Sequence, residues 1–385
     1  MSFTESEERQ ALRSAVADFG ARYGHEYFNA KARAGEKTTE LWTEAGKLGY
    51  LGVAVPEEFG GGGGGIGDLA AVCEELAAVG CPMLLMVVSP AICATVIARF
   101  GTEAQKQQWL PGFADGTLKM AFAITEPDAG SNSHRLSTSI RREGEEWVLN
   151  GRKYYISGVD EVDAVLVVAR HVDDKGQRLL PSLMIVPTDA PGFEFQPIEM
   201  DIVSPEKQFT LFFDEVRLPA DALVGSPDAG IGQLFAGLNP ERIMAASFST
   251  GLARFAMAKA TDYARTRKVW DTPIGAHQGL AHPLAHCAVQ IELARLMTQK
   301  AAALYDSGQD KAAGEAANMA KYAAAEAAKD TVDQAIQVHG GNGLATEYGL
   351  GALLGATRVG RIAPVSREMI LNFVSQHTLK LPRSY

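Results

Sequence analysis

The strongest constraint on the fold is a double change of hydrophobic period along the chain. Over 5–24, 38–49, 67–79, 83–100 and 103–115, apolar residues recur every three or four positions, which predicts helices separated by short Gly and Pro breaks. From about residue 119 the pattern becomes short β-branched or aromatic runs, "EEWVLNGRKYYISG", "DAVLVVARHV", "LLPSLMIVPTD", "GFEFQPIEM" and "KQFTLFFDEVRLP", divided by Gly, Asn, Asp and Pro. That pattern predicts antiparallel strands. After "VGSPDAGIG" (224–232) the helical period returns, with Ala-rich stretches such as "AAGEAANMAKYAAAEAAKDTVDQAIQVHG" that suit close-packed helices. The expected class is α+β: an N-terminal helical domain over 1–118, a middle antiparallel β domain over 119–230 and a C-terminal helical bundle over 231–385. No internal repeat is evident, and 385 residues suffice for two or three domains.

A net charge of −10 gives no electrostatic footprint for nucleic acid or an anionic membrane, so an anionic ligand would need a local pocket. Cys73, Cys81, Cys93 and Cys287 show no CxxC and no zinc spacing, and read as buried thiols of a reducing compartment. The acidic N-terminus, "MSFTESEERQALRSAVADFG", reads as neither signal nor transit peptide, so the expected location is the cytoplasm. "LAAVGCPMLLMVVSPAICATVIA" (76–98) is uncharged and long enough for a span, but Pro82 and Pro90 interrupt it and no Lys/Arg asymmetry flanks it. It reads as a helix buried inside a helical domain.

Several motifs point to no chemistry. "FGGGGGGIGD" (59–68) contains a formal GxGxxG, yet no strand precedes it and no Lys-Ser/Thr follows, so it reads as a flexible loop. His282 and His286 stand four apart without an acidic third ligand nearby and read as structural. No metal site and no nucleophile elbow is expected. An enzyme with this inventory would rely on a cofactor.

Within "MAFAITEPDAGSNSHRLSTSIRREGEEWVLNGRKYYISG" (120–158), a strand–turn–strand pattern brings Thr125, Gly130, Ser131 and Ser157 toward one ligand. Here the chain resembles the acyl-CoA dehydrogenase family. "ITEPDAGSN" resembles its first signature, "NGRKYYISG" the strand beside its flavin, and "QVHGGNGLATEY" (337–348) its second signature. "FDEVRLPADALVG" (213–225) and "RKVWDTPIGAHQG" (267–279) follow in the same register, so the resemblance covers nearly the whole chain.

The resemblance implies a helical domain, a β domain and a C-terminal four-helix bundle, with FAD as cofactor and an acyl-CoA thioester as substrate. It assigns Phe122, Ile124 and Thr125 to the flavin ring, and Gly130 and Ser131 to the cofactor or CoA near the pyrophosphate. Tyr155 stands where the family usually has Trp over one flavin face, and Ser157 replaces a Thr that bonds the flavin near N5. Arg267, Trp270, Gln278, Gln337 and Gly341 would contact the FAD of a neighbouring subunit, and Ser366 and Glu368 would also face the cofactor. A homotetramer or homodimer and an electron-transferring flavoprotein as acceptor are further implications. So is a place in fatty acid β-oxidation.

The base is the unusual point. Much of the family carries it in a Glu-Gly-Thr/Ser segment, and the matching stretch here is "RIAPVSREM" (361–369), with Pro364 at the Glu position. Proline takes no proton and has no backbone N–H to hold the thioester oxygen. A second branch, which includes isovaleryl-CoA dehydrogenase, places a Glu beside an Arg on the helix after the β domain. "LNPERI" resembles that arrangement. In "GLNPERIMAASFSTGLARFAMAKA" (237–260), Asn239 reads as an N-cap and Pro240 as the first helical residue, with Glu241 favoured at the helix mouth by the macrodipole.

Capping alone is one account of Glu241; the catalytic base is the other, and the proline at 364 favours it. Glu241 and Arg242 are then the catalytic pair, Asn239, Ser131, Pro364 and Val365 border the substrate, and the Val365 N–H substitutes for the missing donor. Two alternatives stay open: a catalytically silent flavin- and CoA-binding subunit of a hetero-oligomer, and a flavin oxidase or monooxygenase of the same fold. Departures at Asn132 and Arg135, at Ala352 and Ala356, and in the Val-Trp-Asp after Arg267 touch subunit contacts and CoA placement.

Overall fold

The computed structural model describes residues 5–173, 175–227 and 230–383. Seven helices come first: α1 (Glu7–Ala21), α2 (Gly24–Ala34), α3 (Thr39–Lys47), α4 (Ile66–Ala78), α5 (Leu85–Val88), α6 (Thr95–Phe100) and α7 (Glu103–Asp115). Polar caps set the starts of α1 and α7: the Arg9 N–H donates to Ser6 Oγ at 3.3 Å, and Thr102 and Gln105 cap α7 reciprocally. The uncharged stretch 76–98 is a run of short pieces. Pro90, which has no N–H to give, lies in a π-helical turn over Ser89–Ala94 that is wholly buried. Among the described residues no helix is long and apolar enough to cross a membrane.

The glycine run is ordered, contrary to the flexible loop expected. Gly62, Gly63 and Gly64 donate to the carbonyls of Gly52, Val55 and Val53 at 2.8–3.0 Å. A Cβ on Gly61 would stand 2.1 Å from the Val55 carbonyl oxygen. The glycines are there for close backbone approach.

The middle sheet has eight strands: β1 (Met120–Ala123), β2 (Ser139–Glu143), β3 (Glu146–Ser157), β4 (Ala164–Val172), β5 (Arg178–Pro187), β6 (Phe193–Ile198), β7 (Gln208–Pro219) and β8 (Leu223–Val224). Their order is β6-β7-β3-β2-β4-β5-β8, with β1 beside β4. The pairing is mostly antiparallel, but β1 and β2 both run parallel to β4, along its two halves. The link 224–232 includes residues 228 and 229, which lie outside the described residues.

The C-terminal part holds α8 (Gly230–Thr266), a hairpin of β9 (Lys268–Val269) and β10 (Thr272–Pro273), then α9 (Gln278–Asp306), α10 (Asp310–His339), α11 (Leu353–Ile362) and α12 (Arg367–Phe373). Helix α8 docks on α4 so closely that a Cβ on Gly251 would meet the Glu74 carbonyl oxygen at 2.5 Å. Arg254 and Arg295 reach Glu74 at 2.8 Å each, and Arg13 comes to it at 3.0 Å from α1.

The helix start expected at Asn239 and Pro240 is corrected. Both residues lie inside α8, which begins at Gly230. Pro240 deprives the Ala236 carbonyl of its helical donor, and the Tyr305 hydroxyl replaces that donor at 2.8 Å. Asn239 is no cap. Its Oδ1 accepts from Arg242 Nη1 at 3.1 Å and its Nδ2 donates to the Asp310 carbonyl at 3.3 Å.

Candidate active site

Glu241 lies one residue past the proline of α8, half-buried, and its carboxyl makes no hydrogen bond or ion pair among the described residues. Burial pushes its pKa up to about 7, against the opposing charges of Arg242 and Lys321. Arg242 is buried, its guanidinium 5.6 Å from the Phe235 ring centre, and its Nε has no partner among the described residues. Burial lowers the Arg242 pKa, and Glu241 resists that shift.

Two further groups feel this carboxyl, Lys321 and Cys93, and the Pro364–Val365 segment is tied to the first of them. Lys321 of α10 is 2% exposed, and its Nζ donates to the Val365 carbonyl at 2.6 Å. Its pKa is lowered to about 8 by burial, with Glu241 opposing. Cys93, in the buried π-helical turn, has its thiol pushed well up by burial, and the charge of Glu241 adds to the effect. Pro364 and Val365, both half-buried, join α11 to α12. Ser366 is the N-cap of α12, accepting from the Met369 N–H at 3.3 Å, and Glu368 is exposed in its first turn.

A second cluster lies on β1 and β3. Phe122 is buried, and Ile124 and Thr125 follow it, half-buried. The Tyr154 N–H donates to the Thr125 carbonyl at 2.8 Å. The ladder with β7 slips between Lys153 and Ile156, and in this bulge Tyr155 takes φ 59° with its ring about half exposed. Left-handed backbone at an aromatic residue costs about 1–3 kcal/mol and persists where surrounding structure imposes it. Ser157 Oγ donates to Gln208 Oε1 at 3.0 Å, which leaves its lone pairs for another partner. Gly130 and Ser131 are exposed in the loop after β1.

Beneath this wall is a buried ion pair, Lys153 Nζ to Glu126 Oε1 at 2.9 Å. Lys153 also donates to the Ile124 carbonyl at 3.0 Å. Glu126 accepts from the Ser137 N–H at 2.6 Å and the Thr138 N–H at 3.0 Å.

Arg267, Trp270, Gln278, Gln337 and Gly341 form a third, exposed group at one end of the bundle. The Tyr263 and His339 rings stack at 4.2 Å between the hairpin and the end of α10. Trp270 is 88% exposed, and both it and Asp271 have positive φ at the hairpin tip, where Asn-Gly would be unstrained. No hydrogen bond or ring contact joins this group to the β1/β3 cluster among the described residues.

The β1/β3 wall suits a flat aromatic ligand: an exposed strained tyrosine, backbone groups at Thr125 and a hydroxyl at Ser157 with free lone pairs. The residues present therefore fit a flavin. His282 and His286 are exposed on α9, and among the described residues no group of three or more His, Cys, Asp or Glu could hold a metal.

Sequence reasoning missed Lys321, Cys93 and the Glu126–Lys153 pair. A signal for Lys321 was present: it shares the buried helical stripe of Ala317, Ala324 and Ala328, where a charge needs a reason.

Comparison with known proteins agrees with this architecture. Family models described as acyl-CoA dehydrogenase N-terminal, middle and C-terminal domains match residues 6–117, 121–216 and 228–379. The acyl-CoA dehydrogenase FadE12 of Mycobacterium tuberculosis (strain ATCC 25618 / H37Rv) is 65% identical over 384 residues, covering 100% of this chain and 99% of its own. Butyryl-CoA dehydrogenase from Megasphaera elsdenii superposes with a TM-score of 0.92 at 27% identity, over 98% of this chain and 100% of its own. A glutaryl-CoA dehydrogenase from Mycobacterium smegmatis in complex with FADH2 gives a TM-score of 0.89 at 26% identity, over 99% and 97%. The chain belongs to the acyl-CoA dehydrogenase family.

Proposed function

We propose that the chain is an FAD-dependent acyl-CoA dehydrogenase that converts an acyl-CoA thioester to its trans-2-enoyl-CoA, with Glu241 as the base. When bound, FAD supplies the acceptor for the hydrogen that leaves the β-carbon as hydride. The Glu241 carboxylate takes the α-proton, and a pKa raised to about 7 suits it to proton transfer near neutral pH. Arg242 favours the ionised form before substrate arrives. Phe122, Ile124, Thr125, Gly130, Ser131, Tyr155 and Ser157 are the cofactor wall. Arg267, Trp270, Gln278, Gln337 and Gly341 reach the cofactor of a second subunit, and Ser366 and Glu368 border it.

Asn239 orients Arg242, and the Val365 N–H holds the thioester oxygen that Pro364 cannot. The observation that carries this reading is the Glu241 carboxyl itself, unpaired among the described residues and pushed up to about 7 by burial, with Lys321 acting on it and donating to the carbonyl of Val365, the residue after Pro364. A homotetramer or homodimer, an electron-transferring flavoprotein as acceptor, and a cytoplasmic role in β-oxidation belong to the same proposal.

Pro364 also favours a second reading, a silent flavin-binding subunit. Anaerobic titration of the purified yellow protein with straight and branched acyl-CoAs separates the two. Loss of flavin absorbance with at least one thioester supports the dehydrogenase, and a yellow protein inert to all of them supports the silent subunit. Rapid recolouring in air would instead mark an oxidase.

A further inference from the structure

A buried ammonium with no carboxylate within ion-pair distance is costly, and such charges persist where they serve another group. Lys321 is that case. It is 2% exposed, forms no ion pair among the described residues, and gives its shortest bond to a neutral acceptor, the Val365 carbonyl at 2.6 Å. The charged groups that act on it come from three elements: Glu241 and Arg242 on α8, Glu326 on its own helix, and Glu368 on α12. Glu326 is already engaged by Arg361 at 2.8 Å and Arg367 at 3.3 Å. Glu368 is exposed. The Cys93 thiol points to the Ala121 carbonyl at 3.6 Å, feels the charge of Glu241 and stays protonated. Of the three carboxylates around Lys321, Glu326 and Glu368 have ion pairs and Glu241 has none among the described residues.

Resting on the assignment of Glu241 as the base, we infer that Lys321 is a positioning residue that ties the Val365 segment to α10 and biases Glu241 toward its ionised form. One side chain thus couples two parts of the reaction centre. The Val365 carbonyl accepts from Lys321, which holds the residue whose own N–H, on the preceding peptide, is assigned to the thioester oxygen, while the ammonium charge favours the carboxylate that receives the α-proton. A unit charge that acts on a carboxyl without ion-pair contact moves its pKa by about 0.5–1 unit. The direction is definite: without the ammonium, Glu241 ionises at higher pH. The effect is confined to pH values where Lys321 is itself charged, and burial places its own pKa at about 8.

The test compares the FAD-loaded wild type with Lys321→Met, Lys321→Gln, Lys321→Arg and Glu241→Gln. Each is followed by anaerobic single-turnover flavin reduction from pH 5.5 to 8.5, and by urea unfolding of the substrate-free protein over the same range. The expected result is an upward shift of the acidic limb by about 0.5–1 pH unit in Lys321→Met and Lys321→Gln. The pH-dependent step in stability should shift likewise, and Lys321→Arg should restore both to within about 0.2 unit. A uniform loss of rate with an unmoved limb would overturn the inference and leave Lys321 a packing residue. Should Lys321→Met not fold, Lys321→Gln, which keeps a donor for Val365, carries the comparison. Reduction of Glu241→Gln at the wild-type rate would instead remove the base assignment, an outcome distinct from an unmoved limb.

Discussion

The Tyr305 hydroxyl donates at 2.8 Å to the Ala236 carbonyl, the acceptor that Pro240 leaves without its helical N–H. Helix α8 can therefore run through a proline and set Glu241 just beyond it. Arg99 supports the tyrosine, donating to its oxygen at 3.1 Å with the guanidinium 4.9 Å from the ring centre.

Tyr305→Phe leaves that carbonyl buried and unpaired, a loss of about 1–3 kcal/mol. Urea unfolding should show it as a lower midpoint, and Pro240→Ala in the same background should recover part of it by restoring the N–H. An unchanged midpoint in Tyr305→Phe would mean that another donor reaches Ala236.

The Glu126–Lys153 pair anchors the segment that carries Thr125 to the strand that carries Tyr155. Lys153→Met strands a buried carboxylate, at about 3–5 kcal/mol. Glu126→Gln with Lys153→Met should be milder than Lys153→Met alone, since no charge is left unpaired. Unfolding midpoints test the stability, and the flavin retained after desalting tests the link to the cofactor wall.

Glu241 makes stability depend on pH in an unusual direction for a carboxyl. Its folded pKa is about 7 against an ordinary 4.5, so between those values the folded chain holds a proton that the unfolded chain has released. The stability contributed by Glu241 is thus full below pH 4.5, falls as pH rises toward 7, and is gone above it. The difference is roughly 1–3 kcal/mol. Glu241→Gln lacks this dependence, so urea unfolding should find it more stable than wild type at pH 8 and nearly equal at pH 4.5. Parallel pH curves would refute the raised pKa.

Trp270 is exposed at the hairpin tip, and the proposed function assigns it to the cofactor of a second subunit. Trp270→Ala should leave the unfolding midpoint within about 0.5 kcal/mol of wild type, yet lower the flavin-to-protein absorbance ratio after gel filtration. A full complement of flavin in this variant would remove the hairpin from the cofactor site.

How much of this was legible depended on how local each signal was. The three layers followed from hydrophobic periods that a single element such as α10 or β4 displays on its own. The start of α8 was misread because Asn239 and Pro240 carry capping chemistry locally, while the hydroxyl that lets the helix continue comes from α9. The glycine run looked flexible because its hydrogen-bond partners are backbone carbonyls, which any sequence supplies. Glu241 is proposed as the base because Pro364 vacates the alternative position. Lys321 was overlooked because its acceptor is again a backbone carbonyl, although its phase on the Ala stripe marked it as buried.

The most direct measurement is the anaerobic rate of flavin reduction in Glu241→Gln, mixed with whichever acyl-CoA bleaches the wild type. The variant should remain yellow and reduce at least ~10³-fold more slowly, the loss expected when a positioned base is removed. Reduction at the wild-type rate would show that the α-proton goes elsewhere.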